Sequence, residues 1–426
     1  MNHEWIDASV EEIAAPAPYA LATGPFGSSI GSRYFTTAGV PLIRGSNLGE
    51  SVEVRLSHED LVFVTDEKAE EFKRSIAQRG DLIFTCWGTI GQVGLVDERC
   101  PYDRYLISNK QMKLTPDPRK ADSLYLYYLF SGPDLSERIK NQAIGSSVPG
   151  FNLGQLRALR IQLPPLGEQR AIARILGDID DKIDLNRRMN QTLEAMAQAL
   201  FRSWFVDFDP VRLKAEGRHL ANVDEETATL FPGAFVDSDV GAIPHKWSVQ
   251  SLDEVVVLQR GFDLPTSARI PGPYPVMLAS GMAEGHAEYK VKGPGIVTGR
   301  SGVLGKVFFV QEDFWPLNTT LWVKEFRHSR PHFAYFLLKR IDFSRFNAGS
   351  AVPTLNRNHI HSLKVVVPPM ELIERFETIA KPMFQLIRKN EFQMETLGSL
   401  RDTLLPKLLS GELRVKDAET TVGAAV

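Results

Sequence analysis

PPLGEQRAIARILGDIDDKIDLNRRMNQTLEAMAQALFRSWF, residues 164–205, is the longest strongly periodic stretch of this sequence. Apolar or small side chains recur in it at spacings of four and three, at Ile172, Leu176, Ile179, Ile183, Leu193, Ala197, Leu200 and Trp204. That spacing is typical of an apolar seam along an α-helix. About 40 residues at ~1.5 Å each make a rod of about 60 Å. Because a single core rarely needs so long a helix, the stretch predicts a spacer.

A second rod near the C-terminus repeats the first. The segment GSSVP at 145–149 recurs as GSAVP at 349–353, 204 residues later. The same offset relates the two seams, pairing Ile172 with Phe376, Ile179 with Met383, Ile183 with Ile387, Asn186 with Asn390, Leu193 with Leu397 and Leu200 with Leu404. The two halves also open alike, with WIDASVEEI at 5–13 and WSVQSLDEV at 247–255. The chain is therefore a tandem duplication of a globular domain followed by a long helix.

The predicted fold class is α+β, with two β-rich globular domains separated by two long antiparallel helices that form a coiled-coil spacer with pseudo-two-fold symmetry. The predicted boundaries are residues 1–163 for the first globular domain, 164–208 for the first helix, 209–242 for an exposed acidic linker, 243–367 for the second globular domain, 368–412 for the second helix and 413–426 for a frayed tail. Residues rich in β-branched and aromatic types predict strands at Val40–Ile43, Asp81–Thr85, Val93–Val96, Val255–Leu258, Val307–Val310 and Lys364–Val367. Amphipathic spacing predicts one helix in each globular domain, Ser123–Phe130 and Pro331–Lys339.

The rods carry three features that bear on their geometry. Gly177 and Pro382 stand at nearly equivalent places, and an interior proline costs about 3 kcal/mol, so a kink is expected in each rod. Pro406 is expected to bend or end the second rod. Asn186 and Asn390 lie in the middle of the seams, and we expect them to approach each other and fix the register, as buried polar residues do in coiled coils. The GSSVP-like loops are expected to shape the entry into each rod.

Composition excludes several classes of protein. No apolar run approaches the ~18 residues that span a bilayer, and the N-terminus MNHEWIDASVEE lacks a basic-then-apolar signal sequence. Two cysteines in 426 residues indicate reduced thiols in a cytoplasmic protein.

Residues 243–367 hold 15 Lys and Arg against 9 Asp and Glu, whereas residues 1–163 hold 17 against 20. If both halves bind DNA, phosphate attraction cannot be the main contribution in the first half.

The sequence carries no catalytic constellation. It has no phosphate-binding G-x-x-x-x-G-K-[ST] loop and no H-E-x-x-H motif. His359 and His361 lack neighbouring Cys or carboxylate clusters, so we expect no metal site there. Cys86 and Cys100 form no C-x-x-C motif, and buried inert thiols are expected. No loop typical of S-adenosylmethionine binding is visible, which disfavours an intact methyltransferase.

Three segments resemble the conserved regions of specificity subunits of type I restriction–modification systems. They are PPLGEQ at 164–169 with the following IARIL and IDDKI, RSWFVDFD at 202–209, and LLPKLLSGEL at 404–413. The resemblance covers nearly the whole chain in the family's order of variable domain, helix, variable domain, helix. The second copy departs from the pattern, because MELI at 370–373 replaces LGEQ.

The resemblance implies a non-catalytic subunit that binds double-stranded DNA. Each variable, target-recognition domain would read one half of a bipartite asymmetric site, and the helices would dock two methyltransferase subunits that methylate adenine at N6. Restriction subunits with motor and nuclease activity would complete the complex. S-adenosylmethionine, ATP and Mg²⁺ are then expected on those partner subunits, with no cofactor in this chain. Two readers on one rigid spacer can address DNA segments about one turn, roughly 34 Å, apart.

Side chains that read bases are expected on polar loops next to predicted strands. In the first domain these are Arg44, Ser46 and Asn47 after one strand, Thr89 and Gln92 on a glycine-rich turn, and Lys110 beside Asn109. In the second domain they are Arg260, Arg300, Ser301, Lys306, Asn318 and Thr319. The glycines at 88, 91, 302 and 305 are better explained by turn geometry than by contacts.

A helical scaffold that binds proteins and has no role on DNA is the alternative. The repeat and the rods fit both functions. The positive balance of the second domain and the polar, glycine-bounded loops favour DNA.

Overall fold

The computed structural model describes residues 5–49, 52–143, 150–219, 223–347, 349 and 353–423. Its α-helices, in chain order, are α1 Val10–Ile13, α2 Asp66–Glu70, α3 Ser123–Ser131, α4 Pro133–Asn141, α5 Leu153–Ala158, α6 Leu166–Phe205, α7 Asp209–Ala215, α8 Glu225–Leu230, α9 Leu252–Val255, α10 Pro331–Lys339, α11 Arg357–His361, α12 Met370–Leu409 and α13 Val415–Gly423. Within the described residues, no helix is both long and apolar enough to cross a membrane.

The strands of the first half are β1 Ile6–Ser9, β2 Leu21–Thr23, β3 Val40–Ile43, β4 Val62–Val64, β5 Ile76–Gln78, β6 Leu82–Thr85, β7 Val93–Leu95, β8 Arg104–Ile107, β9 Gln111–Leu114 and β10 Arg160–Leu163. Those of the second half are β11 Phe235–Val236, β12 Ile243–Pro244, β13 Ser248–Ser251, β14 Val256–Arg260, β15 Tyr274–Leu278, β16 Gly281–His286, β17 Gly295–Gly299, β18 Val307–Val310, β19 Trp315–Pro316, β20 Thr320–Phe326 and β21 Lys364–Val367. All six predicted strands and both predicted helices are present within a few residues of their expected bounds. The strand expected from Val255 begins at Val256, because Val255 closes the capped turn α9.

The two halves share one strand topology. A four-stranded sheet has the order β2-β9-β6-β7 in the first half and β14-β20-β17-β18 in the second. Next to it, one parallel pair recurs, with Leu42 opposite Leu106 in β3 and β8 and Val276 opposite Trp315 in β15 and β19. The pairs β1-β10 and β13-β21 close each half in the same antiparallel way. The duplication predicted from the sequence is therefore confirmed in the fold.

The chain divides into two compact units, Met1–Leu185 with Gln393–Val426, and Asn186–Phe392. The core of the first unit joins Ile172 and Ile183 of α6 to Leu397 and Leu408 of α12. The core of the second joins the other ends of the same two helices, including Trp204 and Phe376. Each core thus contains a helix segment from the opposite half of the sequence.

The helices run antiparallel within each unit. In the first unit, Asp180 of α6 binds Arg401 of α12. In the second unit, Asn190 of α6 meets Asn390 of α12, and the Trp204 ring further along α6 meets Phe376 further back along α12. Residue numbers increase along α6 while those of their partners in α12 decrease. The prediction that the two helices are antiparallel is therefore confirmed.

An amide pair, one member buried and the other half-buried, lies in the helix seam of the second unit. Asn390, only 5% exposed, donates from Nδ2 to Oδ1 of Asn190 at 2.8 Å, and Asn190 donates to the carbonyl oxygen of Ile387 at 3.2 Å. Asn190 lies one turn beyond Asn186, which is also buried. The observed contact of Asn390 is therefore with Asn190. That Asn186 helps to fix the register of the two helices stays a prediction.

Neither long helix is divided at the residues expected to interrupt it, and the kinks themselves stay predictions. The helix α6 continues through Gly177, and α12 continues through Pro382 and Pro406. A Cβ at Gly177 would come within 3.1 Å of Leu124 Cδ2, so this glycine permits close packing of α6 on α3. Pro382 is exposed while Phe384 is buried, so water can reach the carbonyl that the proline leaves unpaired and core packing holds the helix together.

The acidic segment at 209–242 is mostly exposed over its described residues, as expected, but it is folded and anchored in the second unit. It forms α7, α8 and β11, which pairs with β12 directly after the segment, and Phe231 is buried in the core of the second unit. The carboxylate of Asp224 caps α8 and accepts from Nη2 of Arg375 at 2.7 Å. These contacts hold the pKa of Asp224 well below its usual range.

The C-terminal segment also differs from its prediction, since α13 packs Ala418 into the first core. Of the two GSSVP-like loops, residues 144–149, 348 and 350–352 lie outside the described residues.

A buried ionic cluster joins α12 to the first globular domain. Arg401, only 2% exposed, donates to Asp180 at 3.0 Å and to Glu53 at 3.2 Å. Asp180 also accepts from the hydroxyl of Tyr128, and burial raises the pKa of Asp180 despite the guanidinium beside it. Arg401 is therefore the closest cation to this buried carboxylate, since Arg55 lies farther away, at 4.0 Å.

Replacing Arg401 by Ala is expected to lower the free energy of unfolding by about 3 kcal/mol, because the buried Asp180 loses its closest cation and keeps only the more distant Arg55. Urea denaturation of the full chain measures the change. Lys407, exposed on the same helix, is the matched control, and Lys407→Ala is expected to change stability by less than about 0.5 kcal/mol. Equal effects of the two substitutions would contradict the role given to the cluster.

Candidate nucleic-acid interface

A glycine turn between β6 and β7 presents polar side chains at the surface of the first unit. Gly88 and Gly91 adopt positive φ values of 91° and 95°, which favour glycine. Between them Thr89 is exposed, and its hydroxyl pairs with the carboxamide of Gln92. The turn therefore holds two hydrogen-bonding side chains in a fixed arrangement at the rim of a cleft.

The cleft beside this turn has a volume of about 670 Å³. It is lined by Arg44, Ser46, Thr89, Gln92, Asn109 and Lys110, together with Gly45, Gly88 and Ser108 and the apolar side chains Ile30, Phe35, Leu42, Leu48 and Trp87. Five of the six residues predicted to contact DNA in the first domain thus converge on one surface. No Asp or Glu lines the cleft. The site is locally basic although the domain as a whole is slightly acidic.

Asn47 is the exception among the six. It has no exposed surface, and its side chain is committed to the backbone. Its Oδ1 accepts from the backbone N–H of Arg44 at 2.9 Å, while Nδ2 donates to the carbonyl oxygens of Ser57 and Glu59 at 3.2 and 3.1 Å. The prediction that Asn47 contacts a base is therefore corrected: it holds the loop that presents Arg44 and Ser46. Arg44 in turn donates to the carbonyl of Asp60 at 2.7 Å.

The second unit builds an equivalent turn on β17 and β18. Gly302 and Gly305 have φ values of 89° and 87°, close to those of the first turn. The backbone N–H of Arg300 donates to the carbonyl of Thr319 at 2.8 Å, as that of Cys86 donates to Lys110 at 2.7 Å. Thr319 therefore occupies the place of Lys110, as the sequence comparison predicted.

Predicted side chains of the second domain form a hydrogen-bonded group. Arg260 lies 3.3 Å from Asp263, and Asn318 donates to the same carboxylate. The Nη1 of Arg300 lies 3.4 Å from the carbonyl oxygen of Asn318. The structure thus brings Arg260, Arg300 and Asn318 into one neighbourhood around Asp263, a residue that the sequence did not single out.

Three other predicted residues of this domain differ in exposure. Lys306 is exposed and Ser301 is half-buried. The hydroxyl of Thr319 is buried and has no hydrogen-bond partner in the described part of the chain. Since it does not reach the surface, the prediction that this hydroxyl contacts DNA is corrected.

The sequence reasoning missed two residues of the first site. Trp87, 48% exposed, lines the main cleft and directly precedes Gly88, so the glycine turn could have indicated it. Lys140 of α4 lines a second cleft of about 380 Å³ on the other side of the turn, with Thr89, Gln92 and Ser136. Lys140 is about 50 positions away in the sequence, and only the packing of α4 against Gly91 places it there.

The two cysteines and His361 serve the packing and hydrogen bonding of the fold. Cys86 and Cys100 are buried free thiols, and burial raises the pKa of Cys86 to about 12. His361 accepts the backbone N–H of Leu258 on Nε2 at 2.9 Å. Among the described residues, no group of three or more His, Cys, Asp or Glu could hold a metal ion.

The sequence pattern of the family described as "Type I restriction modification DNA specificity domain" matches the chain twice, over residues 38–195 and 244–400. Together the two matches cover most of the chain. The chain belongs to this family. Each match includes most of one globular domain and most of the helix that follows it, in agreement with the duplicated fold.

The chain is also similar to individual specificity subunits. It is 27% identical over 380 residues to the type I restriction enzyme MjaIX specificity subunit of Methanocaldococcus jannaschii, covering 83% of this chain and 82% of that one. It is 25% identical over 451 residues to the HindI specificity subunit of Haemophilus influenzae, covering 90% and 96%. The crystal structure of a type I S subunit from M. genitalium matches the fold with a TM-score of 0.63, at 17% identity and 96% coverage of both chains.

The specificity subunit is therefore the non-catalytic, sequence-reading component of a type I restriction–modification system. A helical scaffold with no role on DNA is not favoured by these relationships.

The scaffold role of Asn47 predicts a stability effect. Asn47→Ala removes three buried hydrogen bonds and is expected to cost about 1–3 kcal/mol, since it leaves backbone groups unsatisfied. Thermal unfolding of the full chain measures the loss. Ser46→Ala, at the exposed neighbouring position, is expected to stay within about 0.5 kcal/mol of the parent. An Asn47→Ala variant as stable as Ser46→Ala would contradict the assignment.

Proposed function

We propose that each globular domain of the specificity subunit recognises one half of a bipartite, asymmetric site on double-stranded DNA. Residues 1–163 and 243–367 are the two target-recognition domains, and the helices within 164–208 and 368–412 are the spacer that holds the two halves of the site apart. The segments 209–242 and 413–426 connect and terminate this frame.

The proposal rests on one observation: the two domains share the same backbone arrangement, but this arrangement presents a different set of side chains in each. Both domains use the same sheet order and the same pair of left-handed glycines in the turn. The first frame presents Thr89, Gln92 and Lys110, whereas the second presents Arg300, Ser301 and Lys306. Because hydrogen-bonding side chains distinguish base pairs in the major groove, two such sets read two different sequences.

Electrostatics supports a division of labour between the domains. The second domain carries an excess of six positive charges, which favours phosphate attraction, whereas the first carries an excess of three negative charges. The first domain contacts DNA through its locally basic cleft, and we propose that a bound partner subunit supplies the rest of its affinity for phosphate.

The partners proposed for the chain are two methyltransferase subunits and the restriction subunits of a type I complex, in the cytoplasm. S-adenosylmethionine, ATP and Mg²⁺ belong to those subunits, which would carry out adenine methylation at N6 and DNA cleavage. Exposed apolar side chains on the long helices support docking there. In the second unit these are Met189, Met196, Leu386 and Phe392.

Selection from a random duplex pool tests the proposal, using the full chain with and without its co-purified methyltransferase subunit. The expected result is enrichment of two conserved blocks separated by unconserved positions. Failure to enrich any sequence under either condition would overturn the proposed function.

Two variants test the division between domains. Lys110→Ala is expected to relax sequence preference in one block and Arg300→Ala in the other, each by about 1–3 kcal/mol at the affected position. The assembly with the methyltransferase subunit is expected to remain intact. Lys73→Ala changes an exposed lysine of the first domain that does not line the cleft and is expected to leave both blocks unchanged. A uniform loss of affinity for every sequence would instead identify the changed residue as a phosphate contact.

A further inference from the structure

The indole of Trp87 is fixed against the backbone and open to the cleft. Trp87 pairs with Gly150 in an antiparallel bridge, and a Cβ at residue 150 would come within 2.8 Å of the indole ring. Only glycine therefore lets the ring lie this close to the chain. With 48% of its surface exposed, at a cleft lined by both polar and apolar side chains, Trp87 is poorly explained by core packing alone.

The chemistry of the indole selects one partner in the major groove. Indole offers an apolar edge and a single N–H donor and has no acceptor. Thymine presents a methyl group next to the O4 acceptor. Cytosine presents an amino donor, adenine an N7 acceptor beside an amino donor, and guanine two acceptors, and none of these three bases carries a methyl group. We propose that Trp87 reads a thymine in the half-site of the first domain, through its apolar edge on the methyl group and its N–H toward O4. This inference rests on the proposed function.

The surroundings of Trp87 agree with a contact to a base. Arg44 and Lys110 line the same cleft and supply positive charge toward phosphates or guanine. No carboxylate lines the cleft to repel DNA. The indole is thus an apolar surface set among groups that attract the duplex.

The thymine contact belongs to the first domain alone. The bridge of Trp87 to Gly150 has its counterpart in the bridge of Ser301 to Thr354. Ser301 therefore occupies the equivalent position in the second domain, and its hydroxyl can donate to or accept from any base. This position is one of those at which the readout of the two half-sites differs.

Base analogues test the contact in the full chain with its methyltransferase subunit. Once selection has defined the block that Lys110→Ala relaxes, each thymine of that block is replaced in turn by deoxyuridine, which lacks only the methyl group. Loss of one buried methyl group is expected to weaken binding of the parent protein about fourfold at one position. Trp87→Ala is expected to bind the thymine site more weakly and to show no thymine-over-deoxyuridine preference there.

Two further variants separate the contact from folding. Trp87→Phe keeps an apolar ring and is expected to retain the preference for thymine. Tyr19→Ala removes an exposed aromatic residue of the same domain that does not line the cleft and is expected to retain both affinity and preference. A Trp87→Ala variant that keeps the preference, or a parent protein without a preference at any thymine of the block, would overturn the inference while leaving the proposed function intact. Absence of any selected block would overturn both.

Discussion

The antiparallel pairing of two 40-residue helices is the constraint on which the rest of the structure depends. Each compact unit buries the start of one helix against the end of the other, so neither β-rich domain has a complete core without a segment from the opposite half of the sequence. Buried and half-buried polar contacts accompany this packing, with Asp180 and Arg401 in one unit and Asn190 and Asn390 in the other. Because such groups are costly to leave unpaired, they disfavour shifted pairings of the helices.

This arrangement explains how the two readers can differ while the frame stays the same. The sheet order, the parallel strand pair and the left-handed glycines are common to both halves. The polar side chains on the turns, such as Thr89 and Lys306, are exposed and lie outside the cores, so substitutions there cost little stability. Trp87 in one half and Ser301 in the other show how far equivalent positions have diverged. Sequence preference is thus free to change without altering the fold.

The sequence predicted those features that depend on periodicity and repetition. The constant offset identified the paired helices, and five of six chosen residues of the first domain lie on one cleft. It failed where tertiary packing overrides local preference, as at Pro382, which remains inside a continuous helix. It also failed where a polar side chain binds the backbone. An asparagine can hydrogen-bond to a base, but the amide of Asn47 is hydrogen-bonded to backbone groups of its own loop. The sequence could not predict Lys140 as part of the site, because only the folded structure places α4 beside the glycine turn.

Site-directed photocross-linking to the selected DNA tests the central claim most directly, since it shows which domain touches which block. A photoactivatable group is attached to Ser46→Cys in the first domain or to Lys306→Cys in the second, both at exposed positions, while the native thiols are buried. Sequencing of the cross-linked bases is expected to place the Ser46 adduct in one conserved block and the Lys306 adduct in the other. Adducts from both positions within the same block would contradict a structure in which each half of the chain reads its own half of the site.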